Sequence, residues 1–141
     1  MEVNRIDILP MNLDSAGSIS SLIKRTLINL RVDKSVIRRV SIATYEAEIN
    51  VVIHSNGGYC EFGIDNNKLL IVFQDTGPGI KNIDQAMQEG FSTACQKARD
   101  NGFGAGMGLP NIKRSSDEFN ITSSEDGTTL KLVFYLGEIW E

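Results

Sequence analysis

Hydrophobic positions change period several times along the chain, and each change marks a predicted element. Residues 3–9, "VNRIDIL", alternate between polar and apolar side chains as a strand does. Residues 14–32 carry apolar side chains at helical spacing, and Asp14 and Ser15 are residue types that cap helices. Asp33 is suited to cap a second, longer helix that runs through "KSVIRRVSIATYEAEINVVIHS".

The second half of the chain contains two predicted hairpins. Residues 59–64 and 68–74 form the first, because turn-forming Asp and Asn residues at 65–67 separate two apolar strands. Residues 118–124 and 129–136 form the second, around the turn "EDGT".

Between the hairpins the pattern predicts helices and a polar loop. We predict a short helix over 83–90, a loop over 91–105 and a helix that starts near Gly108, with Pro110 in its first turn. This order of elements predicts an α+β fold with one domain over 1–141. The domain is a two-layer α/β sandwich, with a mixed, mostly antiparallel sheet and helices on one face.

Composition and charge exclude several classes of protein. The 141 residues are 41% hydrophobic, enough for one core, and the net charge of −4 argues against a nucleic-acid binder. The longest apolar run, "LLIVF" at 69–73, is too short to span a bilayer, and the N-terminus lacks the pattern of a signal peptide. Cys60 and Cys95 form no CxxC pair and indicate free thiols in the cytoplasm.

A polar row interrupts the apolar surface of the second helix. Glu46 and Asn50 lie four residues apart, so their side chains point the same way between two apolar faces. Either Glu46 bonds nearby backbone or pairs with Arg39, or it acts on a nucleophile while the Asn50 oxygen binds a metal. Glu48 falls on another face and is expected in solvent. His54 continues the row, and a histidine at a helix end is more often structural.

An aspartate follows the second strand of the first hairpin. Asp75 begins "DTGPG", in which Gly77 and Gly79 let a flat ring approach the backbone while the carboxylate accepts a hydrogen bond from an amine. The same letters also make an ordinary turn, and alone they favour that interpretation.

Four glycines alternate in "GFGAGMGLPNIKR", residues 102–114. The segment lacks the P-loop GxxxxGK[ST] and the strand-linked GxGxxG of dinucleotide-binding folds. A glycine loop that feeds a helix N-terminus suits a phosphate chain, and the alternative is a flexible connector.

Together these segments resemble the GHKL ATPase superfamily of gyrase, the ninety-kilodalton heat-shock chaperone, histidine kinases and MutL. "EAEIN" resembles its N box, "DTGPG" and "GAGMG" its two glycine boxes, and "GTT" at 127–129 its late Gly-Thr. "GFST", "GAGMGLPNIKR" and "DEFNI…GTTLKL" are most similar to the small serine/threonine kinases of anti-sigma-factor and stressosome switches. The resemblance covers about residues 36–136 and implies a Bergerat fold that binds ATP and Mg²⁺.

The resemblance also implies roles for single residues. Glu46 would be the catalytic base, Asn50 would bind Mg²⁺, and Asp75 would bind the adenine amine with help from Thr128 through water. Gly77 and Gly79 would shape the base pocket. The phosphate cradle would consist of Gly104, Ala105, Gly106, Met107 and Gly108. Lys113 and Arg114 would contact phosphate or a partner, or lie in solvent.

The implied partner is a small STAS-domain protein that receives the γ-phosphate on Ser or Thr, with a sigma factor or a phosphatase as further candidates. A homodimer is expected by analogy with relatives that have the anti-sigma role. The alternatives are an ATP-gated regulatory binder without catalysis, a histidine-kinase catalytic domain acting in trans, and a small domain with no nucleotide site. The loop "STACQKARDNGF" is longer than its counterpart in stressosome kinases, and "HSN" stands where many relatives have His-Gly.

Overall fold

The computed structural model describes residues 2–77, Met87 and residues 108–137. The predicted helix over 83–90, except Met87, the loop over 91–105 and Cys95 lie outside this part of the chain. The strands are β1 (Asn4–Ile8), β2 (Gly58–Asp65), β3 (Lys68–Asp75), β4 (Glu118–Ser124) and β5 (Gly127–Tyr135). The helices are α1 (Ser18–Asn29), α2 (Lys34–His54) and α3 (Gly108–Ser115), and a 3-10 turn spans Leu13–Ser15.

The strands form one sheet in the order β1-β2-β3-β5-β4, and every pairing among the described strands is antiparallel. Both predicted hairpins are confirmed. Asn66 and Asn67 have φ angles of 50° and 60°, which are the two left-handed positions of a type I′ turn. The predicted α+β sandwich is therefore confirmed, with an open sheet that leaves β1 and β4 as edges.

The core lies between the helices and one face of this sheet. Phe73 and Phe134 face it from neighbouring strands, and Val40 of α2 and Leu27 of α1 are also fully buried. The helices therefore cover the face that carries the alternate apolar residues of each strand. In the described ranges, no helix is both long and apolar enough to cross a membrane.

Of the two predicted helix N-caps, the one for the second helix is correct and the one for the first helix is wrong. The Asp33 carboxylate accepts a hydrogen bond from Ser35 N at 2.8 Å, so Asp33 caps α2 as predicted. The first helix begins at Ser18, after the N-cap Gly17, so neither Asp14 nor Ser15 caps it. The prediction placed this helix start too early because it relied on the capping residue types of Asp14 and Ser15, which lie in the 3-10 turn Leu13–Ser15.

Glu48 supplies the missing cap from another helix. The side chain is only 2% exposed, and its Oε1 accepts hydrogen bonds from Ile19 N at 3.2 Å and Ser20 N at 3.4 Å. The expectation that Glu48 lies in solvent is therefore wrong. Burial raises the pKa of this carboxyl, and the bonds to the first turn of α1 oppose that rise. The positive end of the α1 dipole stabilises a carboxylate at this place.

We expect Glu48→Ala to destabilise the fold by about 3 kcal/mol, because two buried N–H groups lose their acceptor. Glu48→Gln should lose much less stability, since the glutamine amide oxygen can still accept hydrogen bonds from these N–H groups. Urea unfolding of both variants measures the difference, and Glu125→Ala at the exposed β4–β5 turn is the control. Equal losses in the alanine and glutamine variants would contradict a capping role.

Candidate functional site

The N-terminus of α3 lies directly on the polar row of α2. A β-carbon at Gly108 would be 3.3 Å from both side-chain polar atoms of Asn50 and 3.4 Å from Glu46 Oε2. The structure thus brings the last glycine of "GAGMG" onto both predicted residues of the second helix. Only bare backbone fits at this distance without displacing the row.

Arg39 holds the other end of α3. Its Nη1 donates to Ser115 O at 3.1 Å and to Asp117 Oδ1 at 3.3 Å. A cation at the C-terminal carbonyls of a helix is favourable. Arg39 is therefore engaged elsewhere, and the alternative that Glu46 pairs with Arg39 is wrong.

Glu46 remains a half-buried carboxylate that faces α3. Burial raises its pKa, and a side-chain hydrogen bond with Asn111 opposes the rise. Because α3 begins at Gly108 and ends beside Arg39, it runs antiparallel to α2 along the row that carries Glu46 and Asn50. The carboxylate thus lies beside the backbone of Gly108, and the Asn111 amide lowers its pKa.

Asp75 ends β3, half-buried, and is held by the neighbouring strand. Its Oδ1 accepts a hydrogen bond from Thr128 N at 2.9 Å. Burial raises the pKa of Asp75, and this bond opposes the rise. The Thr128 hydroxyl lies 2.8 Å from the hydroxyl of Ser123 on β4. The sequence predicted Asp75 and Thr128, whereas it gave no signal for Ser123.

Tight backbone contacts join the end of β3 to the end of α2. Asn56 N donates to Thr76 O at 2.8 Å, and Thr76 N donates to Gly57 O at 3.0 Å. A β-carbon at Gly77 would lie 3.4 Å from Asn56 N. Asn50 is only four residues, about 6 Å of helical rise, before His54, the last residue of this helix. The polar row and Asp75 therefore belong to one end of the molecule.

Five predicted site residues lie outside the part of the chain that the structure describes: Gly79, Gly104, Ala105, Gly106 and Met107. His54 is the last residue of α2, where desolvation lowers its pKa. Among residues 2–77, 87 and 108–137 there is no cluster of three His, Cys, Asp or Glu side chains that could hold a metal.

Gly127 gives a direct test of the backbone geometry at Asp75. Its φ is +147°, and a β-carbon there would overlap the carbonyl oxygen of Asp75. We expect Gly127→Ala to destabilise the protein by about 3 kcal/mol or more, since strain and overlap add. Gly137→Ala is the control, because Gly137 also has a positive φ, +69°, but nothing within 4 Å. The urea midpoint of Gly127→Ala should lie well below that of Gly137→Ala. If Gly127→Ala loses no more stability than Gly137→Ala, the close packing of Gly127 on the Asp75 carbonyl is refuted.

Comparison with known proteins adds an independent observation. The family model of the histidine kinase-like ATPase domain matches residues 9–134. The chain belongs to this family. Its fold is that of GHKL ATPase domains, as the motifs implied.

Curated relatives of this GHKL domain include a kinase and anti-sigma factors. It is 34% identical over 105 residues to serine/threonine-protein kinase RsbT of Bacillus subtilis (strain 168), with 70% of this chain and 71% of that protein covered. It is 32% identical over 107 residues to an anti-sigma F factor of Thermoanaerobacter sp. (strain X514), with 70% and 69% covered. The domain is therefore similar to a serine/threonine-protein kinase and to anti-sigma factors.

Solved structures show the same fold. The GHKL domain matches the RsbU and RsbW domains of Rv1364c from Mycobacterium tuberculosis with a TM-score of 0.65 and 18% identity, over 96% of this chain and 33% of that one. It matches the catalytic domain of histidine kinase ThkA with a TM-score of 0.52 and 14% identity, over 96% of this chain and 97% of that one. At these identities the likeness concerns the fold alone.

Proposed function

We propose that this GHKL domain is an ATP-dependent serine/threonine kinase that phosphorylates a STAS-domain protein. The observation that carries the proposal is the contact of Gly108 with both Glu46 and Asn50, at the same end of the molecule as Asp75. The similarity to a serine/threonine kinase over most of the chain supports it. We expect the reaction in the cytoplasm, where ATP is available.

Asp75 is proposed to hold the adenine amine. One carboxylate oxygen is taken by Thr128 N, which leaves the other to accept from a ligand. Gly77 and Gly79 are proposed to shape the base pocket, and Thr128 to bind adenine through water. The hydroxyl pair of Thr128 and Ser123 would fix that contact.

The phosphates are proposed to lie at the N-terminus of α3, where backbone N–H groups and the helix dipole favour negative charge. Gly108 would end a cradle begun by Gly104, Ala105, Gly106 and Met107. The Asn50 carboxamide is a hard oxygen donor of the kind that Mg²⁺ accepts alongside waters and phosphates. Bound there, Mg²⁺ would neutralise charge on the phosphate oxygens.

In the proposed reaction, a Ser or Thr hydroxyl oxygen of the partner forms a bond to the γ-phosphorus. The bond from that phosphorus to the β–γ bridging oxygen breaks, and ADP leaves with the electron pair. Glu46 accepts the hydroxyl proton, and the half-buried position of its carboxylate beside Gly108 supports this role. The fixed positions of Glu46 and of the α3 backbone supply the alignment that phosphoryl transfer requires.

The test is transfer of radiolabelled phosphate from ATP to purified STAS-domain proteins from the genome that encodes this chain. The proposal expects one of them to be labelled on Ser or Thr. The relation to anti-sigma F factors favours a second candidate, an ATP-gated binder of a sigma factor. That function would appear as an ATP-dependent complex with no covalent change in either protein.

Without the amide oxygen of Asn50, Mg²⁺ should no longer strengthen the binding of ATP. We expect Asn50→Ala to weaken binding of ATP in Mg²⁺ by about tenfold, while binding of ATP in EDTA changes by less than about threefold. Calorimetric titration with and without Mg²⁺ measures both values, with Asn120→Ala on exposed β4 as the matched control. An equal loss with and without metal would show that Asn50 has no part in the magnesium site.

A further inference from the structure

Asn111 lies in α3, half-buried, and uses the two ends of its carboxamide on different partners. Its Oδ1 accepts a hydrogen bond from Arg114 Nη2 at 2.5 Å. A guanidinium has donors only, so this contact fixes which end of the carboxamide is the oxygen. The NH₂ group is therefore the end left to face Glu46, the carboxyl whose pKa Asn111 lowers.

The position of Asn111 along α3 matters as much as its bonds. It follows Gly108 by three residues, and residues three apart lie on the same face of a helix. The bare α-carbon of Gly108 and the NH₂ group of Asn111 therefore both face the Glu46 carboxylate. One rigid helix thus presents the backbone of the proposed phosphate site and a hydrogen-bond donor for the proposed base.

We infer that Asn111 is a positioning residue that holds the Glu46 carboxylate toward the N-terminus of α3. The inference rests on the proposed function, because that N-terminus is where the γ-phosphate and the attacking hydroxyl would meet. A glutamate side chain has several rotatable bonds, and one fixed donor removes orientations in which the carboxylate turns away. Asn111 thereby couples the placement of the phosphate cradle to that of the base.

Arg114 acts through the same contact. The sequence left open whether Lys113 and Arg114 contact phosphate, contact a partner or lie in solvent. Arg114 is exposed and donates to Asn111, so it orients the amide that faces Glu46. Arg39, the other cation of this α2–α3 contact, is bound at the far end of α3 to Ser115 and Asp117.

The side-chain amide signals of Asn111 test the contact in the nucleotide-free protein. Loss of the signals in Asn111→Ala assigns them in a ¹H–¹⁵N spectrum. Glu46→Gln replaces a charged acceptor with a neutral one, so we expect an upfield shift of the bonded Asn111 proton. The side-chain amide of exposed Asn120 should not move. Asn111 signals that move no more than those of Asn120 would overturn the inference.

Kinetics test what the contact does. We expect Asn111→Ala to lower kcat for phosphate transfer from ATP to a STAS-domain protein by about ten- to a hundredfold. KM for ATP and the thermal midpoint should stay close to those of Asn120→Ala. Asn111→Asp keeps the shape of the side chain and the Arg114 contact, but it turns an acceptor toward Glu46. Its kcat should therefore fall at least as far as that of Asn111→Ala.

The outcomes separate the inference from the proposed function. Wild-type kcat in Asn111→Asp would overturn the inference even if the chain is a kinase. If the wild-type chain transfers no phosphate, the kinase proposal fails, and the amide shift alone decides whether Asn111 holds Glu46. If Asn111→Ala lowers the thermal midpoint well below that of Asn120→Ala, the fall in kcat reflects damage to the fold. That outcome would assign Asn111 a structural role and overturn the inference.

Discussion

Asp75→Asn should weaken ATP binding by at least about a hundredfold. Thr128 N occupies Oδ1 of Asp75, and the asparagine oxygen will stay with that donor. The variant then turns its NH₂ group toward the adenine amine, so two donors face each other. A hydrogen bond to a charged group contributes about 1.5–3 kcal/mol, and an unpaired buried donor adds to the loss. Calorimetric titration of ATP with Mg²⁺ measures the effect.

The same variant should reverse the preference for the base. Inosine triphosphate carries a carbonyl where ATP carries an amine, so the wild-type carboxylate of Asp75 should reject it and the amide of the variant should accept it. We therefore expect Asp75→Asn to bind inosine triphosphate more tightly than ATP. The control is Asp65→Asn, which makes the same change at the exposed β2–β3 turn. An equal loss for both nucleotides would mean that Asp75 supports the fold and does not read the base.

Glu46→Gln should lower the rate of phosphate transfer by about 10²- to 10⁴-fold, because an amide cannot accept the hydroxyl proton. Binding should survive, since glutamine has nearly the same shape and its oxygen can still accept from Asn111. We expect the Kd for ATP to stay within about threefold of the wild-type value. Single-turnover transfer to a STAS-domain protein and calorimetry measure the two quantities.

The control for Glu46→Gln is Glu61→Gln. Glu61 is also half-buried, but it lies on β2 between Cys60 and Phe62, which face the core, so it points to the other side of the sheet. The Glu61→Gln variant should therefore transfer phosphate at the wild-type rate. If Glu46→Gln transfers phosphate at the wild-type rate, Glu46 is not the catalytic base. If Glu46→Gln loses ATP binding, Glu46 contributes to holding the nucleotide.

The periodic elements and the motif residues were predictable because each depends on local chemistry. Alternation and turn residues identified both hairpins, and Asp33 carried a local capping signal that the structure confirms. Glu46 and Asn50 could be placed on one face from their spacing alone. Their meeting with Gly108 is a tertiary contact that spacing does not reveal, but the order of the motifs resembled a known family.

The failures at Glu48, Arg39 and Asn111 share one physical origin, which is side-chain pairing with a segment distant in sequence. Glu48 was expected in solvent because a helical wheel does not show that α1 begins above it. Arg39 stands two turns before Glu46, yet Ser115 and Asp117 bind it from the other end of α3. Asn111 carried no signal, since its effect depends on Arg114 on one side and Glu46 on the other.

Calorimetric titration of the wild-type chain with ATP and Mg²⁺ tests the central claim most directly. The account predicts binding of one nucleotide per chain with a Kd between about 1 μM and 1 mM. It also predicts that Asp75→Asn weakens this binding by at least about a hundredfold while Asp65→Asn binds as the wild type does. An absence of heat from wild-type protein at several times the upper limit of that range would contradict the claim that Glu46, Asn50, Gly108 and Asp75 form an ATP site.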